Sequence, residues 1–153
     1  MISTRLIHLI ESNRDLIIDR VAAELRREPQ ITHGKSIQDY ELHGLAQDLL
    51  HHLGDWLSSG NSYDLTLRYE RFGALCYQQG IPLHEALRGM CLLREKMLDV
   101  AQENMFSNNS VELYAEEELD RRLGRFFDGL AVHLAKGFEE AARHPEASRI
   151  TVH

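Results

Sequence analysis

The sequence predicts an all-α fold of five helices, the last of them long. Three observations carry that expectation. Apolar residues recur three, four or seven positions apart along most of the chain, which is the spacing of one helix face. Neither sustained period-two alternation nor hairpin turns between β-branched runs can be found. The three prolines, Pro29, Pro82 and Pro145, fall where helices should begin or end.

The first helix is expected from Thr4 to Glu28, with Leu6, Ile10, Ile17, Val21 and Leu25 on one face. Pro29 ends it, because the residue before a proline avoids the α region. Ser36 is a candidate N-cap for the second helix, whose stripe is Leu42, Leu45, Leu49, Leu53, Trp56 and Leu57. Ser58-Ser59-Gly60-Asn61 closes it with turn-forming residues. A third helix follows from Ser62 to Gln79, with Leu65, Tyr69, Phe72 and Cys76 at helical spacing.

Gly80 is the expected left-handed C-cap, and Pro82 restarts the chain in the first turn of the fourth helix. That helix, to Phe106, carries Leu83, Leu87, Met90, Leu93, Met97 and Ala101, and Ser107-Asn108-Asn109-Ser110 breaks it. The fifth helix, from Val111 to Arg143, carries Leu119, Leu123, Phe126, Leu130, Leu134 and Phe138. At 1.5 Å per residue it is on the order of 50 Å long. Glu117–Arg121 and Glu118–Arg122 are expected as i,i+4 pairs on its solvated face. Residues 1–144 form one helical domain in this reading, and 145–153 a flexible tail or a truncated link to an output module.

At 153 residues, with 43% hydrophobic and 27% charged residues, the chain is neither disordered nor a disulfide scaffold. Seventeen Lys and Arg against 24 Asp and Glu give a net charge of −7, which opposes binding to a phosphate backbone. Nucleic acid is therefore not an expected partner. Cys76 and Cys91 are too few and too far apart for a zinc site or a disulfide framework, so reduced thiols are expected. The N-terminal apolar runs are broken by Arg5, His8, Glu11 and Arg14, and no run reaches the length of a membrane span. A cytoplasmic protein that does not enter a membrane is the expectation.

Signatures of catalysis are scarce. The chain holds no G-x-S-x-G elbow, phosphate-binding loop, G-x-G-x-x-G or H-E-x-x-H. None of its nine histidines follows a glutamate by three positions, as a di-iron bundle would require. His51 and His52 point about 100° apart on a helix, a poor chelating geometry. His133, flanking the apolar stripe of the last helix, reads as a boundary residue with a satisfied hydrogen bond. No catalytic residue and no metal ligand is assigned.

The segment Arg71-Phe72-Gly73-Ala74-Leu75-Cys76-Tyr77-Gln78-Gln79-Gly80-Ile81-Pro82-Leu83 has its own local physics: helix, glycine stop, proline start. In that reading Gly73 permits a close helix approach, and Cys76 is a small apolar residue packed inside. With His84-Glu85-Ala86-Leu87-Arg88 and Leu92-Leu93-Arg94 after it, the segment resembles the N-terminal sensory domain of RsbRD-type RsbT co-antagonists. Ile10-Glu11, Ile17-Ile18-Asp19-Arg20 and the Leu45–Trp56 helix fit the same layout, so the resemblance covers roughly residues 5–105.

The segment is also similar to the haem corner of bacterial sensor globins. Gly73 and Gly80 match that corner, and Cys76 stands where the globins place the haem-binding histidine. The resemblance implies a globin-like bundle without haem. It also implies a ligand pocket bordered by Tyr69, Phe72, Cys76, Leu49 and Leu53.

A non-enzymatic signalling domain is thus expected, one that dimerises and relays a ligand or partner signal through helix packing. A haem- or tetrapyrrole-binding sensor is the alternative. Its partners would be a second copy and a signalling protein or fused output domain. Adjacent Phe126 and Phe127 point about 100° apart and are hard to bury against one core. Phe127, Val132 and Ala135 are accordingly the candidates for a dimer interface.

Overall fold

The computed structural model describes residues 4–29, 31, 44, 47, 48, 50, 51, 53, 63–104 and 110–145. Among these the fold is all-α. The helices are α1 (Thr4–Ser12), α2 (Arg14–Arg27), α3 (Tyr63–Gln78), α4 (Leu83–Asn104) and α5 (Ser110–Arg143). Residues 44, 47, 48, 50, 51 and 53 are helical as well, and no strand occurs among the described residues.

The single first helix expected from Thr4 to Glu28 is in fact two. Asn13 leaves helical geometry at φ −109° and ψ 15°. Its side-chain amide donates to the Leu9 carbonyl at 2.8 Å, and the Ser12 hydroxyl donates to the same oxygen at 3.3 Å. Short polar side chains that bond the backbone locally compete with helix propagation, and two in succession are enough to break it here. The apolar stripe survives the break, with Ile10, Ile17 and Val21 all buried. At the other end of α2, Glu28 is extended, as its position before Pro29 demands.

The expected helix from Ser36 to Leu57 lies mostly outside the described residues, as do the turns at Ser58–Asn61 and Ser107–Asn109 and the tail beyond Pro145. Leu53 and Leu50, which are described, are fully buried in the core.

The α3–α4 corner follows the sequence closely. Gly80 adopts φ +74°, its N–H donates to the Tyr77 carbonyl at 3.1 Å, and the Ile81 N–H donates to the Cys76 carbonyl at 2.9 Å. These two bonds are a Schellman motif, which satisfies carbonyls that the helix end would otherwise orphan. Pro82 then caps α4 from outside, its carbonyl accepting from the Glu85 and Ala86 N–H groups.

The core is one cluster, including Ile17, Leu53, Leu92, Met97, Leu119, Leu123 and Leu134, against which α3 packs its partly buried Tyr69 and Phe72. The central element is α4, which packs against α1, α2, α3 and α5. Its buried face is wider than the predicted stripe, since Leu92 and Val100 join Met90, Leu93, Met97 and Ala101. Arg20, midway along α2, forks both carboxylate oxygens of Glu103 at 2.9 Å, and Arg88 reaches Glu28 just past the end of α2 at 3.3 Å, so α2 lies antiparallel to α4. On α5, Arg122 pairs with Glu118 at 2.8 Å as predicted, and Arg121 turns to the same carboxylate at 3.9 Å.

The most extensive helix pairing is between α3 and α5. A Cβ placed on Gly73 would overlap the Leu134 carbonyl oxygen and lie 2.8 Å from the Phe138 nitrogen. A Cβ on Gly137 would overlap the Glu70 carbonyl and lie 2.7 Å from the Glu70 Cα. Each helix thus lays a backbone carbonyl over the other's glycine, a contact in which no side chain intervenes. Tyr77 and Phe138 close the flank edge to face, with ring centroids 5.5 Å apart.

Alanine at Gly73 or Gly137 should force the helices apart and cost about 1–3 kcal/mol or more, the range for overpacking a rigid site. Gly129 is the internal control, because nothing lies within 4 Å of a Cβ built there. Gly129→Ala should stabilise the helix by about 0.5–1 kcal/mol. Urea denaturation of the three variants checks both signs.

Candidate functional site

Along α3, Tyr69, Phe72 and Cys76 are three and four residues apart and so share one helix face. Tyr69 and Phe72 meet edge to face at a centroid separation of 6.4 Å and pack against the main core, of which Leu53 is a member. Tyr69 and Phe72 thus border, and Leu53 belongs to, the one main apolar cluster. Leu49, the fifth candidate, lies outside the described residues.

Cys76 stands one turn further along. It is buried to 1% exposure but is not among the residues of the main cluster. Its carbonyl is the acceptor that closes the Gly80 corner. With no compensating charge, burial pushes the thiol from its ordinary 9.0 up to about 12. The group is a neutral thiol at physiological pH, while the nucleophile and metal ligand is the thiolate.

Tyr69 is shifted in the same direction. Desolvation raises its hydroxyl above the usual phenol range, and the Asp48 carboxylate adds to the effect. Asp48 is itself held by Arg68 at 2.7 Å, an ion pair that ties α3 to the helical residues around 48. The face can bury an apolar body and offer an uncharged hydroxyl and an uncharged thiol. It has no acid, base or nucleophile poised near neutrality.

One polar pair at the α3–α5 crossing escapes the sequence. His133 on α5 places Nδ1 3.4 Å from Glu70 Oε2 on α3, next to the carbonyl that covers Gly137. The expectation of a satisfied hydrogen bond does not hold, since this buried nitrogen has no hydrogen-bond partner in good geometry. Gly137 was also not singled out. Its signal was available: a glycine between Leu134 and Phe138, inside a buried stripe, marks a close approach.

Of the candidates on α5, Phe127 requires correction. Phe126 and Phe127 are 3% and 5% exposed, with rings edge to face at 5.6 Å. The core wraps far enough round α5 to take both rings, so Phe127 offers nothing to a second molecule. Val132 is 64% exposed and Ala135 half-buried. Among the described residues no group of three His, Cys, Asp or Glu could hold a metal ion, and no helix is long and apolar enough to cross a membrane.

Over residues 15–152 the chain matches the family described as the RsbT co-antagonist protein rsbRD N-terminal domain. Neither a curated protein nor a solved structure matches it.

The two cysteines should separate cleanly in a thiol titration. Cys91 is exposed and should react at once, whereas Cys76 should react only as fast as the fold opens. The raised pKa also has a pH consequence. Between 9 and about 12 the unfolded thiol has lost its proton while the folded one keeps it. Stability should therefore be constant in this respect below pH 9 and fall as pH climbs towards 12. Cys76→Ala should flatten that decline in alkaline denaturation curves, leaving the part that Tyr69 contributes above pH 10.

Proposed function

The chain belongs to the family of rsbRD N-terminal domains of RsbT co-antagonists, and on that premise we propose that it is a non-enzymatic sensory domain. It works in stress-response signalling, dimerises, and passes a ligand or partner signal on through helix packing. The observation that carries this reading is the α3–α5 crossing. The face bearing Tyr69 and Phe72 belongs to a helix whose backbone rests directly on α5 at Gly73 and Gly137. Close-packed backbones do not deform gradually, so a change in packing on that face moves α5 as a body.

Occupancy near Tyr69 and Phe72 would then bias one arrangement of α3 on α5 over another. The ligand shifts the balance only by its difference in affinity for the two arrangements. The listener is a second copy of the chain, together with a signalling protein or a fused output domain. The residues supply no catalytic step: the candidate face holds a neutral thiol and a neutral phenol, and the family is a regulatory one.

The buried, neutral Cys76 also favours the reading without haem. Thiolate ligation to haem iron needs a deprotonated sulfur, and among the described residues burial pushes the Cys76 thiol the other way. Purified protein should show no Soret band, and added haemin should bind no better than to an unrelated acidic protein. Stoichiometric haem in fresh preparations would overturn this.

Dimerisation is tested by light scattering. At high micromolar concentration the mass should approach twice the 17.6 kDa of one chain. Val132→Asp should return it to the monomer, with the thermal midpoint unchanged because the side chain is exposed. A clean monomer for the unaltered chain would sink the proposal.

A further inference from the structure

From Arg121 to Arg143 the outer line of α5 is solvated, and at its middle stands Val132, 64% exposed. Arg125 and Glu139 lie seven residues to either side of it, and Asp128 and Lys136 lie four to either side. At 3.6 residues per turn, all four fall within about 40° of the line through Val132. All are exposed. Elsewhere on the same helix Glu118 is shared by Arg121 and Arg122, but among the described residues these four charges have no ion-pair partner in their own chain.

We propose that two copies of this chain pair antiparallel along this face of α5, about a two-fold axis at Val132. The inference rests on the dimeric reading above and gives it a register. In an antiparallel pair centred on Val132, each residue faces the one equally far on the other side. Val132 meets the second copy's valine, Arg125 meets Glu139, and Asp128 meets Lys136. The two-fold axis repeats each pair, so four attractive contacts flank one apolar contact. Charges seven residues out sit about 10 Å from the axis, close enough to meet when the helices cross at about 20°.

The alternatives are worse on the same residues. A parallel pair in register sets Arg125 on Arg125 and Glu139 on Glu139. Moving the antiparallel centre to residue 130 seats Val132 against Asp128. Centring on Val132 leaves one repulsive pair, Arg121 with Arg143, which the axis likewise repeats, so two repulsive contacts stand at the ends of the overlap against four attractive ones. Arg121 is already drawn towards Glu118 in its own chain. One helix pair with a single valine contact makes a weak interface, so the dimer should form in the micromolar range or above. Its partner choice comes from charge pattern, as exposed helix charges generally provide.

Charge exchange tests the register. Arg125→Glu should weaken dimerisation by about tenfold, since an exposed attraction is replaced by a repulsion twice over. Adding Glu139→Arg should restore it. Independently, in a Cys91→Ser background, mixing Arg125→Cys chains with Glu139→Cys chains should give the mixed disulfide under mild oxidation. All these positions are exposed, so thermal midpoints should stay put. A dimer that ignores Arg125→Glu, that Glu139→Arg fails to rescue, or that crosslinks only like with like would overturn the register while leaving dimerisation intact. A monomer throughout would remove both.

Discussion

Two glycines set how near α3 and α5 can come, and most of the molecule's particular features follow from that contact. Glycine in a helix interior costs about 1 kcal/mol against alanine, in conformational freedom alone. Gly73 and Gly137 both carry that cost, and each is covered by a carbonyl of the opposite helix. Close contact of this kind gains dispersion from backbone atoms that side chains would otherwise hold apart, together with weak Cα–H···O contacts. Neighbouring features take their positions from it. Tyr77 meets Phe138 because the axes are this close, and His133 comes within reach of Glu70 for the same reason.

Ionic contacts have a secondary part. The Arg20–Glu103 fork and the Arg88–Glu28 pair fix the direction in which α2 lies on α4, but their side chains remain partly in water. Exposed ion pairs of this kind contribute little each and are screened by salt. The weight falls on the apolar cluster round α4 and on the glycine crossing beside it. Two of the polar groups that burial reaches, the Cys76 thiol and the Tyr69 hydroxyl, are pushed towards their neutral forms.

Much of this was legible in the chain because local rules act locally. Gly80 before Ile81-Pro82 specifies a Schellman turn and a new helix wherever it occurs, and the Leu119–Phe138 stripe states a buried face. Reading Gly73 as a close-approach residue needed only its place in an apolar helix. Other features depend on what stands opposite, and spacing alone does not supply that. Phe127 looked surplus because one stripe was counted, whereas the core curls round α5 and takes both rings. The break at Asn13 comes from two side chains competing for the single Leu9 carbonyl, a contest that apolar periodicity does not register. Of the pocket expected from Tyr69, Phe72, Cys76, Leu49 and Leu53, the first two border the main cluster, Leu53 belongs to it and Leu49 lies outside the described residues. Cys76, on the same face of α3, is buried outside the main cluster.

These arrangements give α5 two unlike faces. One is held by backbone contact to α3 and by the buried run from Leu119 to Leu134, and the other presents Val132 among charges to solvent. A helix of 34 residues hydrogen-bonded along its length is stiff compared with the side-chain packing around it. On the proposed reading, movement at the inner face would pass through α5 to the outer one instead of being absorbed within it. The glycine contact sharpens this, since helices at backbone distance have no soft side chains between them to take up a small shift. They change by stepping to another packing or not at all. A relay requires a rigid element whose position is set at one face and read at the other, and on the reading proposed above α5 would be that element, its inner face set by its glycines and its apolar stripe.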